Sequence, residues 1–351
     1  MKKRITINNN LINGPGNISP IPPLPPTSPT FPTQPTQPTP PVPPLEDLLF
    51  IGHPGEITVY DVSRRRVITE IENVGTPNDI FINSEMNLLY VTSSLGLSVL
   101  NLSDYQLIAQ TPAPSGFINE IGYNPTNNTV YVGADFRAFG FDPDNNYQLS
   151  TTIDVTRSGA SSGMFALNPL TNRGYLPIGI ADNVYVLDLL TNTWVDTVIT
   201  SPNASDLVAV NSTTNRIYTS NSSTPSRTIL LDIIDGNTNT VTTTIVLAEP
   251  GNLSTGIAID EINNRIYVSN RNTNNASNVL AYVVDGNTNT LLDTITIDRN
   301  VNTSSITVNP SVRRAYISDA DNDIIYVIDT ISNTVVEELP FQSFVLAAYT
   351  P

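Results

Sequence analysis

Few residues in this chain are equipped for chemistry. There is no cysteine and a single histidine, His53, so thiolate metal sites, disulfides and clusters of imidazole ligands are excluded. A lone histidine activates a nucleophile only beside a correctly placed carboxylate, and no G-x-S-x-G elbow accompanies it. His53 therefore reads as structural or solvated. Carboxylates offer more. Asp319, Asp321 and Asp323 alternate in D-A-D-N-D, and alternating oxygens in a loop suit a hard cation such as Ca²⁺. The stretch lacks the glycine at position six and the glutamate at position twelve of an EF-hand, so a solvated turn stands beside the cation site as the alternative. Asp142 and Asp144, in D-P-D-N-N, are a weaker case of the same kind. Asp61, Asp188, Asp235, Asp285 and Asp329 each close a β-prone run, which is the place of a turn-capping aspartate. Trp194 stands in N-T-W-V-D where other units carry Val or Leu, so it reads as packing. No residue is assigned a catalytic or cofactor-binding role, and an enzyme is not expected.

Charge narrows the partners. Of 351 residues only 14% are charged, yet the net charge is −16. Lys2, Lys3 and Arg4 are the only charged residues before Glu46, leaving 13 basic against 32 acidic residues beyond them, a net of −19. Such a body repels phosphate backbones, and no basic stripe offsets it. Nucleic acid is excluded as a partner, and no stretch is apolar enough to be a transmembrane segment. After M-K-K-R comes I-T-I-N-N-N-L-I-N-G, with no apolar run of the length a signal core needs, so no standard signal peptide is expected.

The positions named above belong to a repeat. An aromatic residue opens a strand seven times, at Phe50, Tyr90, Tyr131, Tyr175, Tyr218, Tyr267 and Tyr316, at intervals of 40 to 49 residues. That spacing fits four short strands per unit. A second run follows and ends in or near Asp, as in I-T-V-Y-D and I-I-Y-V-I-D. Turn-forming Asn, Gly, Ser and Thr then lead into a third run. A small-residue strand, such as T-G-I-A-I-D or S-S-I-T-V-N-P, precedes the next aromatic. The first unit lacks such a strand before Phe50, whereas S-F-V-L-A-A-Y-T-P at 343–351 matches one and has nothing after it. The C-terminal strand is thus expected to pair beside residues 48–52 and close the seam. The fold class is all-β, a seven-bladed β-propeller of four-stranded antiparallel blades over 45–351. Its axial entrance would be built from loops at 156–162, 201–205, 269–278 and 318–323.

Residues 1–44 differ from the rest. Every third residue from Pro20 to Pro44 is proline, with Thr27, Thr30, Thr33, Thr36 and Thr39 in a parallel row. Polyproline II has three residues per turn, so this spacing predicts an extended rod of about 75–80 Å with a proline stripe and a threonine stripe. Residues 20–44 read as a stalk whose hydroxyls suit O-glycosylation. Residues 1–19 form a polar segment whose R-I-T-I-N-N-N-L-I could add to a sheet edge of another subunit.

The units R-I-Y-V-S-N at 265–270, Y-V-I-D-T-I-S-N-T-V-V at 326–336 and N-P-x-T-N at 168–172 resemble the YVTN-family β-propeller repeat. The resemblance covers residues 45–351. It implies the fold and leaves function open, because relatives include surface-layer proteins, enzyme subunits and proteins of no known activity. The Pro/Thr stalk resembles, more loosely, the N-terminal parts of exosporium and spore-surface proteins, which implies an extracellular or cell- or spore-surface location. The expected function is a non-enzymatic head on a stalk that binds a protein or glycan on a surface, adheres, or self-assembles through 1–44. The alternatives are a cation-dependent, lactonase-like hydrolase and an intracellular protein scaffold.

Overall fold

A computed structural model describes residues 46–114, 119–134, 136–155, 164–178, 182–201, 205–222, 228–248, 252–272 and 278–351. The expectations for residues 1–19 and 20–44, and the axial loop at 156–162, lie outside them.

Seven four-stranded antiparallel sheets make seven blades. In sequence order from blade 2, the innermost strands are Pro77–Asn83, Ile121–Asn124, Ala166–Asn168, Ser205–Asn211, Asn252–Asp260 and Thr303–Asn309. The innermost strand of blade 1 comes from the chain's end. Val345–Tyr349 pairs with Leu48–His53, in a register running from Leu48 opposite Tyr349 to Gly52 opposite Val345. The seam therefore closes as the repeat predicts, and the seventh blade packs directly on the first.

The seven aromatic residues that define the repeat are all fully buried. They sit on second strands with nearly every residue buried, such as Leu88–Ser93 and Thr129–Ala134. A blade faces a neighbour on both sides, so these strands are apolar without alternation. The outermost strands meet solvent and alternate, as in Thr240–Ala248.

The turns explain the recurring Asp and Asn. At the end of each third strand a side chain accepts from the backbone two or three residues on. Asp188 Oδ1 takes Leu190 N–H at 2.9 Å and Thr191 N–H at 3.0 Å, and Asp285 Oδ1 takes Asn287 N–H at 2.7 Å. Asp61, Asp235 and Asp329 do the same, so turn capping is what these aspartates do. A residue in the left-handed region then returns the chain, usually asparagine: Asn192, Asn239, Asn289 and Asn333 have φ of 52–55°. Asparagine tolerates that region better than a residue with an apolar side chain. A β-bulge recurs in all seven blades between the third and outermost strands, adding to blade twist.

Candidate functional site

The strand pairings define a ring around the propeller axis. The innermost-strand residues two before the partner of each repeat aromatic are Asp79, Leu207, Gly256, Ser305 and Val345. Continuing the ladders of blades 3 and 4 adds Glu120 and Met164. All seven line one cavity of about 200 Å³. Adjacent blades thus supply two carboxylates to a ring otherwise built of small and apolar groups. In blades 2, 5, 6 and 7 a bulge lies just before the ring position. It turns Asn78, Thr255 and Ser304 toward the same cavity.

The ring residues also bridge blades. Asp79 Oδ2 accepts Ile121 N–H at 2.8 Å, while its Oδ1 accepts Ile80 N–H at 2.8 Å. Glu120 Oε2 accepts Phe165 N–H at 3.1 Å. Ser305 Oγ accepts Leu346 N–H at 3.2 Å. In each case the donor is the residue just after the next blade's ring position. Three ring side chains of different chemistry thus stitch neighbouring innermost strands by one rule. Thr255 and Thr303 add a hydroxyl contact at 2.5 Å between blades 6 and 7.

Both carboxyl groups are half-buried at the surface of a narrow cavity. Burial pushes Asp79 up to about 6 against the backbone donors that favour its charge. Glu120 is pushed well above the ordinary range, first by burial and then by the neighbouring charge of Asp79. This is the electrostatic setting of a proton-holding pair.

The residues singled out from the sequence lie elsewhere. Asp319 ends the second strand of blade 7 and is buried. Its carboxylate accepts from Asn302 N–H at 3.1 Å, Asp321 N–H at 3.2 Å, Asn322 Nδ2 at 2.7 Å and the Tyr326 hydroxyl at 3.3 Å. Asp321 Oδ1 accepts Asn302 Nδ2 at 2.8 Å, and Asp323 occupies the left-handed turn position with φ of 52°. Among the described residues no three His, Cys, Asp or Glu side chains gather in a way that could hold a metal ion. Asp142 Oδ1 accepts Asp144 N–H at 2.9 Å and starts a short 3₁₀ turn. His53 lies at the first hairpin of blade 1, 3.1 Å from Thr58 Oγ1, with its imidazolium disfavoured by burial. Trp194 packs on the outside of blade 4, edge-on to Tyr185 with ring centroids 5.1 Å apart, and its Nε1 donates to Asp196 O at 2.7 Å.

The acidic pair escaped the sequence reading. Its trace is there, in Asn78-Asp79-Ile80 and Asn119-Glu120-Ile121, one Asn-acid-Ile triplet at the start of two successive small-residue strands.

The fold is matched by a solved structure of Kuenenia stuttgartiensis hydrazine synthase, at a TM-score of 0.67 and 11% identity, covering 78% of this chain and 95% of that one. No family model and no curated protein matches the chain. The described part is therefore a seven-bladed β-propeller. No helix among the described residues is long and apolar enough to cross a membrane.

Proposed function

We propose that the protein is a non-enzymatic, surface-displayed propeller head whose proline-rich segment serves as a spacer and assembly element, located on the outside of a cell or spore. The observation that supports this most is the use of the axial carboxylates. Asp79 spends both oxygens on backbone N–H groups, and Glu120 caps the next blade. Side chains that hold adjacent strands together are poorly disposed to turn over a substrate. The polar, strongly acidic head and the +3 at residues 2–4 favour association between copies. Electron microscopy of the full chain beside a variant lacking residues 1–44 tests the reading. Clusters or filaments that depend on 1–44 are expected; monodisperse rings in both samples would overturn the assembly role.

A second reading is a cation-dependent hydrolase of lactonase type. It is favoured by two axial carboxyl groups with raised proton affinity, flanked in sequence by Asn78 and Asn119, because a carboxyl of that kind suits general acid–base work. Lactone hydrolysis dependent on an added divalent ion, and lost in Glu120→Gln, would establish it in place of the first.

A further inference from the structure

We propose that an apolar groove on the turn face of blades 2–4 receives an extended proline-rich polypeptide, namely the 20–44 segment of a second copy of this chain. The inference rests on the assembly reading above and names the surface that assembly would use.

The groove has a volume of about 590 Å³ and is lined by Phe81, Ile82, Tyr123, Pro125, Pro169 and Leu170. It lies at the opposite end of the innermost strands from the acidic ring. Its residues come from the ends of the innermost strands of blades 2 and 3 and from the turns that follow the innermost strands of blades 2, 3 and 4. In two of them a proline follows the asparagine that opens the turn, at Asn124-Pro125 and Asn168-Pro169. Asn124 and Asn168 hold those turns by accepting Thr126 N–H at 3.2 Å and Leu170 N–H at 3.0 Å. The rings are fixed as well. Tyr123 donates its hydroxyl to Asn128 Oδ1 at 2.9 Å, and Phe81 packs on Tyr90 with centroids 6.1 Å apart. Leu170 projects at the rim, 70% exposed. Rigid rings and prolines with gaps between them are the surface that binds polyproline II, whose ordering cost is already low.

The sequence itself contains such a ligand. Residues 20–44 carry proline at every third position and no charge, so the segment itself brings no charge to be stripped of water in an apolar groove. Lys2, Lys3 and Arg4 precede it, and Glu85 stands on the groove wall of an acidic head. The first described residues, Glu46 and Asp47, are held on this same turn face by Arg64 and Asn309.

Sedimentation velocity on the full chain tests this, with Leu170→Glu as the groove variant. Ile262→Glu is the control, because Ile262 is the equivalent turn residue of blade 6, is 73% exposed and lies outside the groove. Self-association should weaken about tenfold in Leu170→Glu and under excess synthetic peptide of residues 20–44. Ile262→Glu and a peptide of the same composition with the three-residue proline spacing scrambled should have no effect. Circular dichroism checks that both variants keep the fold. Association unchanged by Leu170→Glu and by the peptide would overturn the groove while leaving the assembly reading standing. A monomeric chain that binds fluorescein-labelled 20–44 peptide in a Leu170-dependent way would overturn the second-copy occupant and the assembly reading together.

Discussion

Asn309 donates a hydrogen bond of 3.0 Å to Asp47, across 262 residues of sequence. Asn309 ends the innermost strand of blade 7, and Asp47 immediately precedes the second strand of blade 1. The Tyr316 hydroxyl, one of the seven repeat aromatics, donates to the other oxygen of the same carboxylate. Asp47 is buried, and desolvation raises its pKa against the two donors that hold its charge. Asp47→Ala would leave a buried hydroxyl and a buried amide to find new partners, at a cost of about 2–4 kcal/mol. Asp47→Asn keeps one acceptor and should fall between. Urea unfolding midpoints in the order wild type, Asp47→Asn, Asp47→Ala are expected; equal midpoints would show that the seam does not depend on this carboxylate.

The closing strand is the second lock. Removing residues 343–351 strips Val345, Leu346 and Ala347 from the interior and bares the edge of Leu48–His53. Two large apolar side chains at about 1.5–3 kcal/mol each, with the five-residue ladder, put the loss near 5 kcal/mol or above. The truncated chain should melt at least about 10 °C lower and aggregate through the open edge. A melting temperature within error of wild type would mean that the ring closes some other way.

What the sequence disclosed, and what it did not, follows from the range of the interactions. The repeat aromatics, the capping aspartates and the closing strand all leave a local pattern repeated seven times, and each stands where the repeat puts it. Trp194 breaks the Val or Leu rule of its position because that position is on the outer strand, where exposure leaves room for an indole. The axial pair is different. Asp79 and Glu120 are 41 positions apart at a repeat position that is acidic in blades 2 and 3 alone; their neighbours in the ring include Met164, Leu207 and Gly256. Only the strand register puts them together, and a single sequence does not specify which side of an innermost strand faces the next blade.

The axial pair sets a pH dependence whose sign can be worked out. Asp79 is raised to about 6 and Glu120 is also raised, so the folded state holds protons that the unfolded chain releases. Their stabilising contribution is full below the ordinary carboxylate range and fades as pH climbs through 6 and beyond. Asp61, Asp188, Asp235 and Asp329 are depressed. Their contribution is present above the ordinary range and fades on acidification. Melting temperature should therefore peak near the ordinary carboxylate range, about pH 4, and decline as pH rises through 6. Glu120→Gln, which keeps an acceptor for Phe165 N–H without the titration, should flatten that decline. A wild-type profile rising from pH 5 to 8 would contradict the raised proton affinities.

The left-handed turn residues allow the cleanest test of how the repeat is built. Asn289 has φ of 55°, and its N–H donates to Asp285 O at 2.8 Å. The turn joins the third and outermost strands of blade 6, away from the groove and the axial ring, and Asn289 Oδ1 accepts no hydrogen bond from the described residues, so backbone conformation dominates the effect of a substitution. Asn289→Gly relieves the steric preference against positive φ and should leave stability within about 0.5 kcal/mol of wild type. Asn289→Ala keeps the Cβ but removes the polar amide that lets asparagine tolerate positive φ, and should cost about 1–2 kcal/mol. Chemical denaturation of the pair reads the difference directly. Alanine matching glycine would mean that the turn tolerates another backbone geometry, and that the asparagines of the repeat are kept for their side-chain contacts instead.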